Sequence, residues 1–218
     1  MDPVSDLVSN YWAQALERPE FSSPVPTSWM GHPIIRAYMH RRATGDPNVD
    51  FAEWFRRKYL AQPANLALSL GCGFGEFDRR AIRTGIAHRL HARDISAGAI
   101  EKAVITADKE DLSSRIQYAV ANLDEIVLPP NTYDAVLAQS SIHHVSNLEH
   151  LFDQIRTTMK PTAVFFLDEY IGPSRFQTSP FVTKTIDRLL KILPTRYRAN
   201  LYLDDGSIVT GYVPPPLD

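Results

Sequence analysis

The residues equipped for chemistry stand just beyond short apolar runs. His143 and His144 follow the run Tyr133–Ala138, and Glu169 and Tyr170 follow Ala163–Leu167. An imidazole titrates near pH ~6.5, which suits it to take a proton from a reacting group. A carboxylate or a phenol beyond the next run is an equal candidate to touch that group. Each has a structural alternative as well. Hydrogen-bonded histidines hold turns, and Glu169 and Tyr170 can anchor a loop. Arg175 would meet an anionic ligand, against the general preference of arginine for the surface.

A second group of residues points to what is bound. Leu68-Ser69-Leu70-Gly71-Cys72-Gly73-Phe74-Gly75-Glu76 carries an apolar run directly into a glycine-rich turn. Glycines there allow a tight turn and let a ligand lie against the backbone. A dinucleotide loop needs its third glycine one residue later, where this chain has Glu76. A carboxylate at that point repels a pyrophosphate and suits a cationic ligand. The Gly-Lys-Ser/Thr of a phosphate-binding P-loop is absent. Asp94 lies at the carboxyl end of a weaker strand near 89–93, where a carboxylate accepts ribose hydroxyls. Asn122 follows the one after and can pair with the amino and ring nitrogens of adenine. Singly, Asp94 reads as a helix cap and Asn122 as a turn residue. At matching strand ends, in chain order, they read together as a nucleoside site.

These residues need a scaffold that brings distant loops to one edge. From residue 65 the chain alternates strands and helices: strands at 66–70, 89–93, 116–120, 133–138 and 163–167, with helices at 76–84, 96–112, 147–159 and 180–193. The helix at 147–159 is read as closed by Lys160-Pro161. Alternation at this pitch implies right-handed crossovers and an α/β fold with a doubly wound parallel sheet. Residues 1–60 read as a helical lid, in which Asp50 caps a helix carrying Phe51, Trp54, Phe55 and Tyr59 at helical spacing. That aromatic stripe is read as core packing. Residues 61–195 form the expected core. Residues 196–218 form a hairpin around Asp204-Asp205-Gly206, followed by a proline-rich tail.

Composition narrows the function. The chain has 218 residues, 25 acidic against 23 basic, and a formal net charge of −2. A nucleic-acid or anionic-membrane binder needs a basic excess, so neither partner is expected. No apolar run is long enough to cross a bilayer, and no leader is visible, which makes a cytoplasmic location the expectation. The single cysteine, Cys72, excludes an internal disulfide. At a helix N-terminus its thiol pKa would tend to fall, though a small residue filling space is the simpler reading. His144, Glu149 and His150 do not make H-E-x-x-H, and no metal is expected.

The glycine loop, Arg93-Asp94-Ile95-Ser96, Ala121-Asn122-Leu123-Asp124, Tyr133-Asp134-Ala135-Val136, Ser141-Ile142-His143-His144-Val145 and the stretch Glu169–Gln177 together resemble the class I S-adenosylmethionine-dependent methyltransferases. The resemblance covers roughly residues 60–170 and is closest to the small-molecule branch. It implies a Rossmann-like fold with S-adenosylmethionine as cofactor. Leu70, Gly71, Cys72, Gly73 and Gly75 would form the cradle, Asp94 and Ile95 would meet the ribose, and Asn122, Leu123 and Gln139 would frame the rest. His143, His144, Glu169 and Tyr170 become the catalytic candidates, and Trp29, His32 and Arg36 the lid residues. Ser69 departs from the family pattern, which usually has an acidic residue there. The family sheet has seven strands in the order 3-2-1-4-5-7-6. Too little chain follows the fifth strand here, so strands six and seven are expected to be missing. The fifth strand's edge is then open to pairing in a homodimer. The implied activity is methyl transfer to a small-molecule acceptor. A cofactor- or partner-binding module without turnover is the alternative, and a nicotinamide oxidoreductase is disfavoured by Glu76.

Overall fold

The structure is a computed structural model and describes residues 33–169, 171, 179–192, 200–202 and 208–210. It divides into two compact units between Tyr170 and Ile171. The first holds helices α1 (Pro33–Thr44) and α2 (Phe51–Tyr59), then β1 (Ala64–Leu70), α3 (Glu76–Arg83), β2 (Ala87–Asp94), α4 (Ala97–Lys109), β3 (Ile116–Val120), β4 (Tyr133–Gln139), a 3-10 turn (Ile142–His144), α5 (Leu148–Thr158) and β5 (Met159–Asp168). The second holds α6 (Pro180–Ile192) and an antiparallel pair, β6 (Asn200–Tyr202) with β7 (Ile208–Thr210). The expected hairpin turn at 204–206 and the proline-rich tail lie outside the described residues, as do Trp29, His32, Tyr170 and Arg175.

The five strands of the first unit form one parallel sheet in the order β3-β2-β1-β4-β5. This is the five-stranded Rossmann-like core expected from the sequence. The short pair β6–β7 forms a separate sheet. Buried parallel strands read as apolar runs because both faces are covered. Their period of two sorts side chains between the faces. Ala67, Ala135 and Leu137 join one core cluster with Ala52, Phe55, Ala81 and Ile82 of the helices. Leu68, Val136 and Ala138 join the other, with Leu151 and Ile155 of α5.

Local signals place the helices. Asp50 accepts from the Glu53 amide at 2.8 Å and caps α2. Phe55 of that helix is 4% exposed and meets Phe166 edge-on at 5.1 Å between ring centroids. Phe77 of α3 stacks on the same ring at 5.6 Å. The aromatic stripe is therefore core packing, although Tyr59 remains half exposed.

One boundary departs from the sequence reading. The helix before β5 ends at Thr158, and Lys160-Pro161 lies inside the strand rather than closing the helix. Tyr133 pairs with Met159, and Ala135 next pairs with Val164, so Asp134 alone faces four residues of β5. Proline cannot donate to a ladder, and this bulge removes the demand. Lys160 Nζ closes it by donating to Asp134 Oδ1 at 2.8 Å. Burial opposes ionisation of Asp134, but Lys160 and the Leu66 and Asn65 amides outweigh it and hold the carboxyl below its ordinary range.

Candidate active site

A cavity of about 770 Å³ opens at the carboxyl ends of β1 to β4. The sheet order reverses between β1 and β4, and an open α/β sheet binds ligands at such a switch point. The floor is the glycine loop. Gly71 has φ +67°, and a Cβ there would lie 2.3 Å from Ser141 Cβ. Only glycine lets the β1 and β4 loops approach this closely. Ser141 Oγ fastens the contact by donating to Leu70 O at 2.8 Å. At Gly75 a Cβ would strike the Tyr118 hydroxyl at 2.3 Å, so that glycine serves packing between α3 and β3. Gly73 differs: a Cβ there meets nothing within 4 Å, and the residue lines the cavity. Its backbone is open to a ligand.

Asp94 ties this loop to the next strand. Its Oδ2 accepts from the Gly73 amide at 2.8 Å, and its Oδ1 from the Ser96 amide at 2.9 Å. Ser96 in turn caps α4 through the Ala99 amide. Asn122 Oδ1 accepts from the Asp124 amide at 3.1 Å and folds the turn that brings Asn122 and Leu123 to the cavity wall.

Of the sequence candidates, Gly71, Cys72, Gly73, Asp94, Ile95, Asn122, Leu123 and Gln139 line this one cavity, with His144. Leu70 and Gly75 do not. The Leu70 side chain is buried in the core, and its carbonyl serves Ser141. Gln139 Nε2 donates to Asp168 Oδ2 at 3.0 Å, joining the ends of β4 and β5. The Cys72 thiol runs against the helix-terminus expectation: burial, with the charges of Asp78 and Asp94, pushes its pKa well above the ordinary value. None of residues 33–60 lines the cavity; Arg36 lies on the exposed side of α1, and α2 packs into the core.

The catalytic candidates separate by role. Glu169 Oε1 accepts from the Ser141 and Ile142 amides, each at 2.5 Å, and Oε2 pairs with His143 Nδ1 at 2.7 Å. Burial opposes its ionisation, but His143 and these two amides outweigh it and hold the carboxyl below its usual range. Glu169 therefore fixes the 3-10 turn and the orientation of His143. The next residue, His144, faces the cavity. Burial, aided by its neighbour His143 and opposed by Glu169 and Asp94, lowers its pKa below 6.5. The shift favours the neutral form of the imidazole.

Three contributors were not identified from sequence: Ser141, Asp124 and Asp78. Asp124 Oδ1 accepts from the Ser146 and Asn147 amides at 2.8 and 2.6 Å, clamping the loops after β3 and β4. Asp78 lines the cavity from α3 and is fully buried. Its position beside Ala81 and Ile82 on the inward face, at helical spacing, was the available signal.

The comparisons with known proteins agree with this geometry. Residues 68–167 match the methyltransferase domain family. Over 110 residues the chain is 29% identical to a sterol 24-C-methyltransferase of Gibberella zeae, covering 50% of this chain and 29% of that protein. Over 137 residues it is 25% identical to the 2-phytyl-1,4-naphtoquinone methyltransferase of Trichormus variabilis, covering 62% and 60%. The chain thus spans less than two thirds of the length of either relative. Among solved structures, phosphoethanolamine N-methyltransferase 2 of Haemonchus contortus in complex with S-adenosyl-L-methionine superposes with a TM-score of 0.53 at 21% identity. That match covers 81% of this chain and 39% of the other, and it is a likeness of fold.

Proposed function

We infer that this chain is a class I S-adenosylmethionine-dependent methyltransferase that binds that cofactor in the cavity and transfers its methyl group to a small-molecule acceptor. The observation that carries the reading is the meeting of four successive strand ends on one cavity: the open backbone at Gly73, the Asp94 carboxylate, the Asn122–Leu123 turn, and the Gln139–Ser141 loop followed by His144. The residues fit the cofactor's parts. Gly73 offers backbone without a side chain. Asp94 keeps lone pairs for ribose hydroxyls beyond the two amides it already accepts. Asn122 offers a carboxamide to the adenine edge, and Leu123 an apolar surface to its ring. When bound, the cofactor supplies an already activated methyl on a sulfonium.

The chain's own contribution is alignment and exclusion of water. His144 is the group placed to take a proton where the acceptor nucleophile carries one. Glu169 and His143 hold the turn that presents it. The two quoted relatives are named for sterol and naphthoquinone substrates, which supports a small organic acceptor. Calorimetry with S-adenosylhomocysteine and with NAD tests the cofactor reading: binding of the first and not the second is expected, and the reverse would sink it. Incubation with methyl-labelled cofactor and a panel of small metabolites then reads which compound gains label. Cofactor binding without any transfer would favour a binding module.

A further inference from the structure

Helix α3 carries one carboxylate that its protein surroundings leave incomplete. Asp78 is 0% exposed, and neither Oδ1 nor Oδ2 has a hydrogen-bond partner. The Ser69 side chain faces it from β1 in an alignment short of a hydrogen bond. Arg79 acts on it by charge, but that guanidinium is engaged elsewhere: Nη1 donates to Phe74 O at 2.7 Å and Nε meets Glu110 at 3.1 Å. Asp94, the Cys72 thiol and the Tyr118 phenol are its other titratable neighbours, and none brings positive charge. An incomplete buried carboxylate is costly and persists where something else completes it. Asp78 lines the cavity together with Ser69, Cys72 and Phe77, and its charge acts on the Cys72 thiol of the glycine loop and on Asp94.

We propose that Asp78 is the counter-charge for the cationic methionine arm of the cofactor, acting from beneath the glycine loop. The inference rests on the cofactor reading above. The nucleoside half of that ligand is uncharged, and Asp94 and Asn122 suffice for it. The other half carries an ammonium and a sulfonium against one carboxylate. A negative charge held away from water acts on such an arm with little screening, even without direct contact. Glu76 also lines the cavity, but it is exposed and solvent screens it. Burial pushes the Asp78 carboxyl up to about 7, so an approaching cation draws it into the ionised form.

Calorimetry on the full chain near neutral pH compares S-adenosylmethionine with 5′-methylthioadenosine, which keeps the nucleoside and lacks the charged arm. Asp78→Asn should weaken the first by ~10- to 100-fold and leave the second unchanged. The double variant Ser69→Asp/Asp78→Ser, which moves the charge to the facing side chain, should regain most of the loss. Should Asp78→Asn fail to fold, the double variant decides: near-parental binding of S-adenosylmethionine supports the assignment, and loss refutes it. Equal losses for both ligands, or none for either, overturn the role of Asp78 and leave the cofactor site standing. Failure of the parent chain to bind either ligand overturns both.

Discussion

The Gly73 amide donates to Asp94 Oδ2 at 2.8 Å, so the tip of the glycine loop is fixed by the carboxylate that ends the neighbouring strand. One side chain therefore shapes the floor of the cavity and presents an acceptor to it. Asp94→Ala removes both functions, and it also frees the Ser96 amide ahead of α4. Hydrogen bonds to a charged acceptor contribute about 1.5–3 kcal/mol each, so affinity for S-adenosylhomocysteine should fall by ~10- to 100-fold or more. Calorimetry reads this directly, and an unchanged affinity would remove Asp94 from the site.

Gly71 and Ser141 set how closely the β1 and β4 loops meet. A methyl at Gly71 would lie 2.3 Å from Ser141 Cβ, and the backbone there has φ +67°. Gly71→Ala combines overpacking, about 1–3 kcal/mol, with a left-handed alanine, about 1–2 kcal/mol. Urea unfolding should show a loss in that combined range. Adding Ser141→Gly relieves the clash but not the backbone strain, so it should recover part of the loss. Recovery of none would mean that Ser141 is not the obstacle.

Much of this was legible in the chain because the signals are local. Strand β3 is found at 116–120 as read, where β-branched and aromatic Ile116, Tyr118 and Val120 alternate with Gln117 and Ala119. The Asp50 and Ser96 caps also form as read. What the sequence hid depended on neighbours far along the chain. Pro161 signals a helix stop only until its partner Asp134 and the bulge around it are known. Glu169 reads as an acid at a rim, and only the fold reveals that its carboxylate is spent on the Ser141 and Ile142 amides. Asp78 sits in the polar segment Glu76-Phe77-Asp78-Arg79-Arg80, where composition suggests an exposed helix face. Its spacing to Ala81 and Ile82 points inward, and the structure follows the spacing.

Glu169 makes the turn before α5 sensitive to acid. Its folded pKa is depressed below the ordinary 4.5, so its contribution to stability is present above that value and is lost as pH falls through the folded one. Glu169→Gln should lower stability near neutral pH, and the gap between variant and parent should close below pH 4.5. Thermal melts across that interval test it. A gap that stays constant would mean the carboxylate charge is not what holds Ser141 and Ile142.

His144 and His143 should separate in kinetics once an acceptor is known. His144→Ala should lower kcat by about 100-fold or more, the usual contribution of a positioned base, with cofactor affinity little changed. The lowered pKa of His144 in the free chain puts the acidic limb of kcat/KM below pH 6.5, and that limb should vanish in the variant. His143→Ala, which removes the Glu169 pair at 2.7 Å, should act more weakly and leave the limb in place. Unchanged turnover in His144→Ala would exclude it as the base.

Asp78 should give the ligand-free chain an unusual pH dependence. Burial raises its carboxyl from 3.8 to about 7 in the folded state. The unfolded chain gives up that proton near 3.8, while the folded chain keeps it to about 7, so folding stability falls as pH rises across this interval and levels off above it. At ~1.4 kcal/mol per pH unit the whole effect is at most about 4 kcal/mol, of which about 2–3 kcal/mol falls between pH 5 and pH 8. Asp78→Asn cannot ionise and lacks this slope. Urea unfolding without ligand should therefore show the variant gaining on the parent as pH rises from 5 to 8. A difference independent of pH would mean that Asp78 titrates in its ordinary range. With saturating S-adenosylmethionine at the higher pH the advantage should shrink or reverse, because the ligand's positive charge stabilises the ionised parent and has no counter-charge in the variant.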